Sequence, residues 1–416
     1  MNNKELLLTS SQLSQQFSAC LWDYNTKNVL KLYKNGGSIP PKTLDVIEQS
    51  YILSAEIAKP LLHVWPLNSQ EIDKSIKLIL PGPATCLSIC PKNTYLAVAI
   101  DTKLYIWQIN SGKLVTVQQR HYQPITCVKF SSDSEYVVVS GEDGILVVYL
   151  LADLIAIYHS LLSQSSIGQV EPKYIKNDHS MPITHIDLGV FGRNSRIATC
   201  SVDRTSCLYS LSTGELLLKL VFHTPLTTIL IDMPCWRLYV GSNSGHIRYY
   251  NLKNPPRTLT QYVQKGEDYD FIGHKDKIVA LALNLQNNIL ASGSLDNFVY
   301  TWDVFSKQIL HKFEHKSAVT NVKFVANYSN FFEQNFKVGI IVKPLERNID
   351  QDSDDFIISA IQNEDIQLSD DESSTEKELL RKQCEEENTN LRIINTQLYR
   401  AAISISKKYN NINNKD

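Results

Sequence analysis

One short pattern recurs along most of this 416-residue chain: a β-rich run that ends in an aromatic residue and gives way to a polar turn. The terminal aromatics are Trp22 in ACLWDY, Trp65 in LLHVWPL, Trp107 in LYIWQI, Tyr149 in LVVYLL, Tyr209 in CLYSL, Tyr249 in IRYYNL and Trp302 in FVYTWDV. Successive spacings are 43, 42, 42, 60, 40 and 53 residues. Four short strands with their turns occupy a period of about 40–45 residues, the size of one propeller blade. The two long intervals hold polar insertions, LSQSSIGQVEPKYIKNDHS before Met181 and KNPPRTLTQYVQKGEDYD before Phe271. Insertions of that polarity belong on surface loops between strands. Length alone would permit two or three average domains, but units of this kind bury their apolar faces only by stacking on one another. Seven aromatics therefore imply an all-β fold with seven blades.

The last full unit is the most legible. Ile278 to Asn284, Ile289 to Gly293 and Phe298 to Trp302 read as three strands, with Ser294-Leu295-Asp296-Asn297 as the turn between the last two, and Gln308 to Phe313 as the fourth. Its Gly273-His274, Ser292 or Ser294, Asp296 and Trp302-Asp303 resemble the blade signature of the WD-repeat family. That resemblance implies a hydrogen-bonded chain of His274, Ser292, Asp296 and Trp302 inside the blade, and satisfied polar groups of this kind rigidify a buried position. Weaker copies are His121, Ser140, Asp143 and Tyr149, and His179, Ser201, Asp203 and Tyr209. A histidine beside Asp and Ser also suits a hydrolase triad, but recurrence at one blade position favours scaffolding.

An open ring would leave strand edges exposed at its seam. The first unit begins at its second strand, Leu6 to Ser10, and Ala318 to Val325 (AVTNVKFV) follows the seventh unit without a partner of its own. Its pattern matches Pro124 to Phe130 (PITCVKF), an opening strand, so it is expected to complete the first blade. The ring would then span residues 1–325.

Residues 326–375 read as an irregular extension and an acidic linker. Positions 350–378 carry eleven Asp or Glu against one Lys, and the formal charge of the whole chain is −2, so the remainder is about +8. A body of that charge is compatible with work near nucleic acid without marking a dedicated binder. Ser369, followed by Asp370, Asp371 and Glu372, would suit an acid-directed kinase, although such serines are common in solvated linkers. Over 376–410 the positions Leu380, Cys384, Glu387, Leu391, Ile394, Leu398, Ala401 and Ile405 follow alternating four- and three-residue steps. That is a coiled-coil seam, weakened by Glu387. A helix with one apolar stripe must cover it, on a second copy, on a partner or on the ring. A homodimer or a partner contact through Leu380, Leu391, Ile394, Leu398 and Ile405 is favoured, because the acidic linker separates the helix from the ring.

Other classes find little support. The eight cysteines are scattered through apolar stretches without a C-x-x-C pair, which reads as buried reduced thiols of the cytosol or nucleus. No metal-ligand cluster and no Gly-rich phosphate loop is present, so neither a metal nor a cofactor nor a catalytic residue is expected. Met1 to Leu8 lacks the pattern of a secretory signal. Ile145 to Leu162 approaches membrane-spanning length but contains Asp153 and His159, and reads as a strand running into a short helix.

Several strings go beyond the generic repeat: KPLLHVW at Lys59–Trp65, LPGPATCLSICP at Leu80–Pro91, SGKLVTV at Ser111–Val117, RHYQPITCVKF at Arg120–Phe130, HSMPITHI at His179–Ile186 and STGELLLKLVF at Ser212–Phe222. In this order they resemble the Ipi/WDR-eighteen family, the WD-repeat subunit of Rix-type complexes. The resemblance implies a non-enzymatic scaffold of the nucleoplasm and nucleolus, acting in maturation of the large ribosomal subunit while the internal transcribed spacer is processed. It also implies helical-repeat protein subunits as partners, binding to the pre-large-subunit particle, and an indirect link to a dynein-like remodelling ATPase. Direct RNA contact stays open, because assembly near RNA does not require it. The first fifty residues match that pattern poorly. The alternative is a substrate-receptor or coat-type WD-repeat adaptor, since a propeller by itself identifies only an interaction scaffold.

Overall fold

The strands of the computed structural model form seven antiparallel sheets, each built around four strands. The structure describes residues 5–12, 17–161, 169–253, 255–256, 258–263, 270–333 and 339–346. The innermost strands are Val319–Ala326, Leu44–Ile47, Cys86–Ile89, Ile125–Phe130, Ile183–Leu188, Leu226–Ile231 and Ile278–Leu283, for blades 1 to 7 in turn. Seven apolar clusters fill the seven gaps between neighbouring blades, the last joining Leu7 of blade 1 to Val299 and Phe313 of blade 7. This is a closed seven-bladed β-propeller.

Ring closure is carried by the last strand. Val319–Ala326 pairs antiparallel with Glu5–Ser11, from Glu5 opposite Ala326 to Ser11 opposite Val319. Both blade faces of a middle strand are covered, so such strands are apolar on both sides; all six residues of Tyr136–Gly141 are buried. Outer strands meet water on one side, and in Ile309–Glu314 only Phe313 is buried. The terminal aromatics occupy one register position, Trp22 opposite Leu7, Trp65 opposite Ile52, Tyr149 opposite Val137 and Trp302 opposite Leu290. In blade 6 this register selects Tyr250, opposite Leu238, and not Tyr249. Two adjacent tyrosines leave the choice to strand pairing.

Ahead of the first insertion, Leu146–Leu150 runs directly into an α-helix, Leu151–Leu161. The second is more than a loop: Thr260–Tyr262 lies parallel to Leu216–Val221 and adds a fifth strand to blade 5. A segment inserted in blade 6 thereby covers the exposed edge of its neighbour.

Residues 339–346 of the extension cross blades 2 and 3. Ile340 and Val342 are buried in the apolar cluster those blades share. Glu346 N donates to Gly112 O at 2.9 Å, and Gly339 N donates to Ser50 Oγ at 2.9 Å. The indole of Trp107 donates to the Glu346 carbonyl at 2.8 Å. Gly112 is in the left-handed region, with φ 75°, and a Cβ there would meet the Pro344 carbonyl oxygen at 2.0 Å, so this crossing requires glycine. The tail beyond 346, including Leu380, Leu391, Ile394, Leu398 and Ile405, lies outside the described residues. Ile340→Ala is expected to lower stability by about 2 kcal/mol in chemical denaturation, while Ile341→Ala, at an exposed position, changes it by less than about 0.5 kcal/mol.

Candidate functional site

Blade 7 contains a four-membered hydrogen-bonded chain. His274 Nδ1 meets Asp296 Oδ2 at 2.9 Å, His274 Nε2 meets Ser292 Oγ at 2.7 Å, and Trp302 Nε1 donates to the same Oγ at 2.8 Å. The proton positions follow from chemistry. A carboxylate only accepts, so Nδ1 carries the imidazole proton; Nε2 then accepts from the Ser292 hydroxyl, whose oxygen accepts the indole N–H. Every buried polar atom in the chain has a partner.

Blade 5 differs in one member and in its charge. The hydroxyl on His179 Nε2, at 2.7 Å, belongs to Thr199 rather than Ser201. Ser201 sits two residues further along and donates to the Met181 carbonyl at 3.0 Å. Thr199 Oγ1 donates to the Cys207 carbonyl at 3.3 Å, which leaves its lone pair facing Nε2. Nδ1 meets Thr205 Oγ1 at 2.9 Å, that hydroxyl donates to Asp203 Oδ1 at 2.6 Å, and Asp203 Oδ2 lies 3.4 Å from Nδ1, so both ring nitrogens face acceptors and the ring is held as a cation. Burial opposes that charge, but Asp203 and Cys207 outweigh it and raise the His179 pKa to about 9. Tyr209, in place of Trp, turns its hydroxyl to Asp178 Oδ2 at 3.0 Å.

In blade 4 the chain is broken. His121 Nδ1 meets Asp143 Oδ2 at 3.0 Å, but Nε2 is buried without a partner. The strand position filled by Ser292 and Thr199 is Val139 here, and Ser140 points to Thr126 Oγ1 at 3.1 Å instead. Tyr149 is buried at the end of the blade, its hydroxyl pKa pushed up to about 12 by burial. Ser140 and Ser201 therefore do not join the histidine networks: a strand flips side-chain direction at each residue, so an error of one or two positions selects a different neighbour.

A further network closes blade 1. His315 Nε2 lies 3.1 Å from Thr9 Oγ1, and Trp22 Nε1 donates to that Oγ1 at 2.9 Å. The signal was spacing: His315 precedes Val319 by four residues, as His121 precedes Ile125, His179 precedes Ile183 and His274 precedes Ile278. Burial pushes the His315 imidazole down to about 4. In blades 2 and 3 the indoles of Trp65 and Trp107 find backbone carbonyls, of Lys34 and Glu346, at 2.8 Å each.

The channel wall is polar and links blades in threes. Asp187 of blade 5 pairs with Lys129 of blade 4 at 2.6 Å and accepts Ile231 N of blade 6 at 2.8 Å. Asp45 of blade 2 pairs in the same way with Lys323 of blade 1 and accepts Ile89 N of blade 3 at 3.3 Å. Lys42 crosses from blade 2 and donates through Nζ to the Thr126 carbonyl of blade 4 at 2.9 Å and to the Thr184 carbonyl of blade 5. Its own backbone N donates to Asn321 Oδ1 of blade 1 at 2.6 Å. The remaining cavity measures about 540 Å³. Lys42 had no sequence signal, because its acceptors are backbone carbonyls from distant blades. Among the described residues no group of His, Cys, Asp or Glu is placed to hold a metal ion, and no helix is long and apolar enough to cross a membrane.

The model of the WD domain, G-beta repeat matches residues 112–149 and 267–303. WD repeat-containing protein 18 of Danio rerio is 30% identical over 331 residues, 79% of this chain and 74% of that protein. The chain belongs to the WD repeat-containing protein 18 family. The Homo sapiens member is 27% identical over 335 residues, covering 80% of this chain and 76% of its own. Pre-rRNA-processing protein pro-1 of Caenorhabditis elegans is 26% identical over 332 residues, 77% of this chain and 61% of that protein. The two repeat matches end on Tyr149 and Asp303, in blades whose histidine faces an aspartate. Blades 1, 2 and 5 of this WD repeat-containing protein 18 family member lie wholly outside both matches.

Ser292→Ala would leave His274 Nε2 and Trp302 Nε1 both unpaired, an expected loss of about 2–4 kcal/mol. Val139→Thr should do the reverse, giving His121 Nε2 a hydroxyl and raising stability by about 1 kcal/mol; equilibrium unfolding measures both. The histidines also set a pH optimum. With an unfolded pKa of about 6.5, a depressed His315 loses its contribution as pH falls from 6.5 toward 4, and a raised His179 loses its contribution as pH rises toward 9. Stability should peak near pH ~6.5 and fall by roughly 3 kcal/mol toward pH 9, and it should fall further toward acid, where burial also depresses His185 and His121. His315→Asn should reduce the acid limb and Asp203→Asn should flatten the alkaline one.

Proposed function

We propose that the chain is a non-catalytic scaffold subunit of a nuclear ribosome-assembly complex of the Rix type, acting in large-subunit maturation and internal-transcribed-spacer processing. The observation that carries this reading is the similarity, across most of the ring, to WD repeat-containing protein 18 and to a protein named for pre-rRNA processing. The geometry is consistent with a scaffold. The histidines that resemble catalytic bases hold blades together, and the charged groups of the channel are bonded across blades. Partner binding then falls to the faces and edges of the ring and to the tail.

In this reading helical-repeat subunits bind the ring, the complex sits on pre-large-subunit particles in the nucleoplasm and nucleolus, and a dynein-like ATPase is reached indirectly. The segment 376–410 serves self-association or partner binding. Affinity purification of the tagged full chain should recover helical-repeat proteins and spacer-containing pre-rRNA. A version ending at Asp350 should keep the ring's partners and lose a second, differently tagged copy. Recovery of ligase or vesicle-coat subunits in place of pre-ribosomal material would overturn the proposal.

A further inference from the structure

The inner strands run from the end of the ring crossed by Lys42 toward the end bearing the turns 232–236, 284–288 and 303–308 of blades 6 and 7. The cavity they enclose, about 540 Å³, is within the size of small-ligand sites, on the order of 300–1,000 Å³. Its charged and imidazole side chains are Lys42, Asp45, Lys129, His185, Asp187 and Lys323. With both carboxylates counted as ionised, their charges do not cancel. Lys129 pairs with Asp187 and Lys323 with Asp45, one ammonium to each carboxylate. Lys42 is the third ammonium, and among the described residues no carboxylate pairs with it. Its Nζ donates to the neutral carbonyls of Thr126 and Thr184, which uses two of its three donors. Three lysines against two aspartates leave the lining with a formal charge of +1.

That excess charge is felt on both sides of the cavity. Burial pushes up the thiols of Cys86 in blade 3 and Cys200 in blade 5, and Lys42 pulls against it in both. Low-dielectric walls focus such a field instead of screening it. A hydrogen-bond acceptor stands on the same cavity, one residue from a Lys42 partner, Thr184. His185 Nδ1 lies 3.0 Å from the Ile229 carbonyl oxygen and 3.4 Å from Ile229 N. The shorter contact is to a group that only accepts, so Nδ1 carries the proton and Nε2 presents a lone pair. Among the described residues Nε2 has no hydrogen-bond partner. Burial, with Lys129 and Lys42 nearby, holds the imidazole well below its ordinary value and therefore neutral.

We propose that the channel binds a small phosphate in its singly charged, protonated form, as free dihydrogen phosphate or as the monoanion of a phosphate monoester. One phosphoryl oxygen accepts from Lys42 Nζ, and the P–OH group donates to His185 Nε2. A single negative charge balances the single excess ammonium, and the P–OH proton satisfies the acceptor that the fold leaves unpartnered. A phosphate monoester takes up its second proton near pH ~6, so this form is populated close to neutrality. Sulfate has two charges and no proton to donate. It overcompensates the lysine and sets an acceptor against the His185 lone pair, leaving both unsatisfied.

The test is isothermal titration calorimetry of the full chain at pH ~6 and constant ionic strength, with inorganic phosphate, ribose 5-phosphate and sulfate as separate titrants. Phosphate or the monoester should bind saturably and at least about tenfold more tightly than sulfate, because a site built around one hydrogen bond rejects an analogue that lacks it. The tighter of the two phosphates tells a free ion from an esterified ligand. Sulfate and phosphate strengthen folding alike by exclusion from the protein surface, so the comparison removes that shared effect. Lys42→Met and His185→Leu should each weaken phosphate binding by about tenfold or more, and His185→Leu should also bring phosphate and sulfate together. The comparison on the unaltered chain decides the matter if a channel variant does not fold. Absence of saturable phosphate binding, equal affinity for sulfate, or undiminished affinity in both variants would overturn the proposal.

Discussion

The pairing of Val319–Ala326 with Glu5–Ser11 is the contact on which the rest of the ring depends. Six of the seven sheets are local, each assembled from consecutive strands and inserted segments, whereas this one joins residues some three hundred positions apart. Without it, blade 1 would lack its innermost strand, and the apolar gaps it shares with blades 7 and 2 would open to water. The cross-channel contacts reinforce the closure at the level of side chains. Lys323 stands on the closing strand and pairs with Asp45, which also holds Ile89 of blade 3, while Asn321 on the same strand holds the backbone of Lys42. Lys42 in turn reaches blades 4 and 5. A strand from the end of the ring is thus connected through two side chains, Asn321 and Lys42, to blades on the far side.

Much of this architecture was legible in the sequence because a blade obeys short-range rules. The aromatic at one register position, the histidine four residues before an inner strand and the aspartate in the next turn repeat with the period of the unit, and the unpaired strand AVTNVKFV pointed to the seam. The failures arose where a choice depended on strand register or distant chain. Tyr249 and Tyr250 are both aromatic, and only pairing with Leu238 distinguishes them. Ser140 and Ser201 have suitable hydroxyls, but Val139 and Thr199 are the residues that face the histidines. Thr260–Tyr262 looked like loop because its partner strand belongs to another blade.

The four histidine networks also show that one scaffold position tolerates several electrostatic solutions. In blade 7 the ring links indole and serine to the carboxylate; in blade 5 the Thr199 hydroxyl is committed to a carbonyl and the ring becomes a cation. In blade 4 an apolar residue leaves one nitrogen unpaired, a cost of about 1–3 kcal/mol, which neighbouring blades tolerate because closure holds the whole ring. Blade 3 dispenses with histidine and takes its acceptor from Glu346, beyond the ring. In blades 1, 2, 3, 5 and 7 one requirement is met by different partners: the large aromatic at the end of the third strand has its polar atom hydrogen-bonded while its ring packs between blades.

The interaction surfaces were the least legible part, for the same physical reason. Periodicity reports what every blade shares, and recognition resides in what each blade does not share. Trp236 and Phe305 lie in turns of different blades and different types, and neither stands at a repeated position. Only the folded ring brings Arg237, next to Trp236, onto the face of Phe305. A ring crossed at one end by Lys42 and bearing exposed Trp236, Leu285 and Phe305 at the other is therefore asymmetric in chemistry although its repeats are symmetric in plan, and it is that asymmetry which gives a scaffold distinguishable faces for different partners.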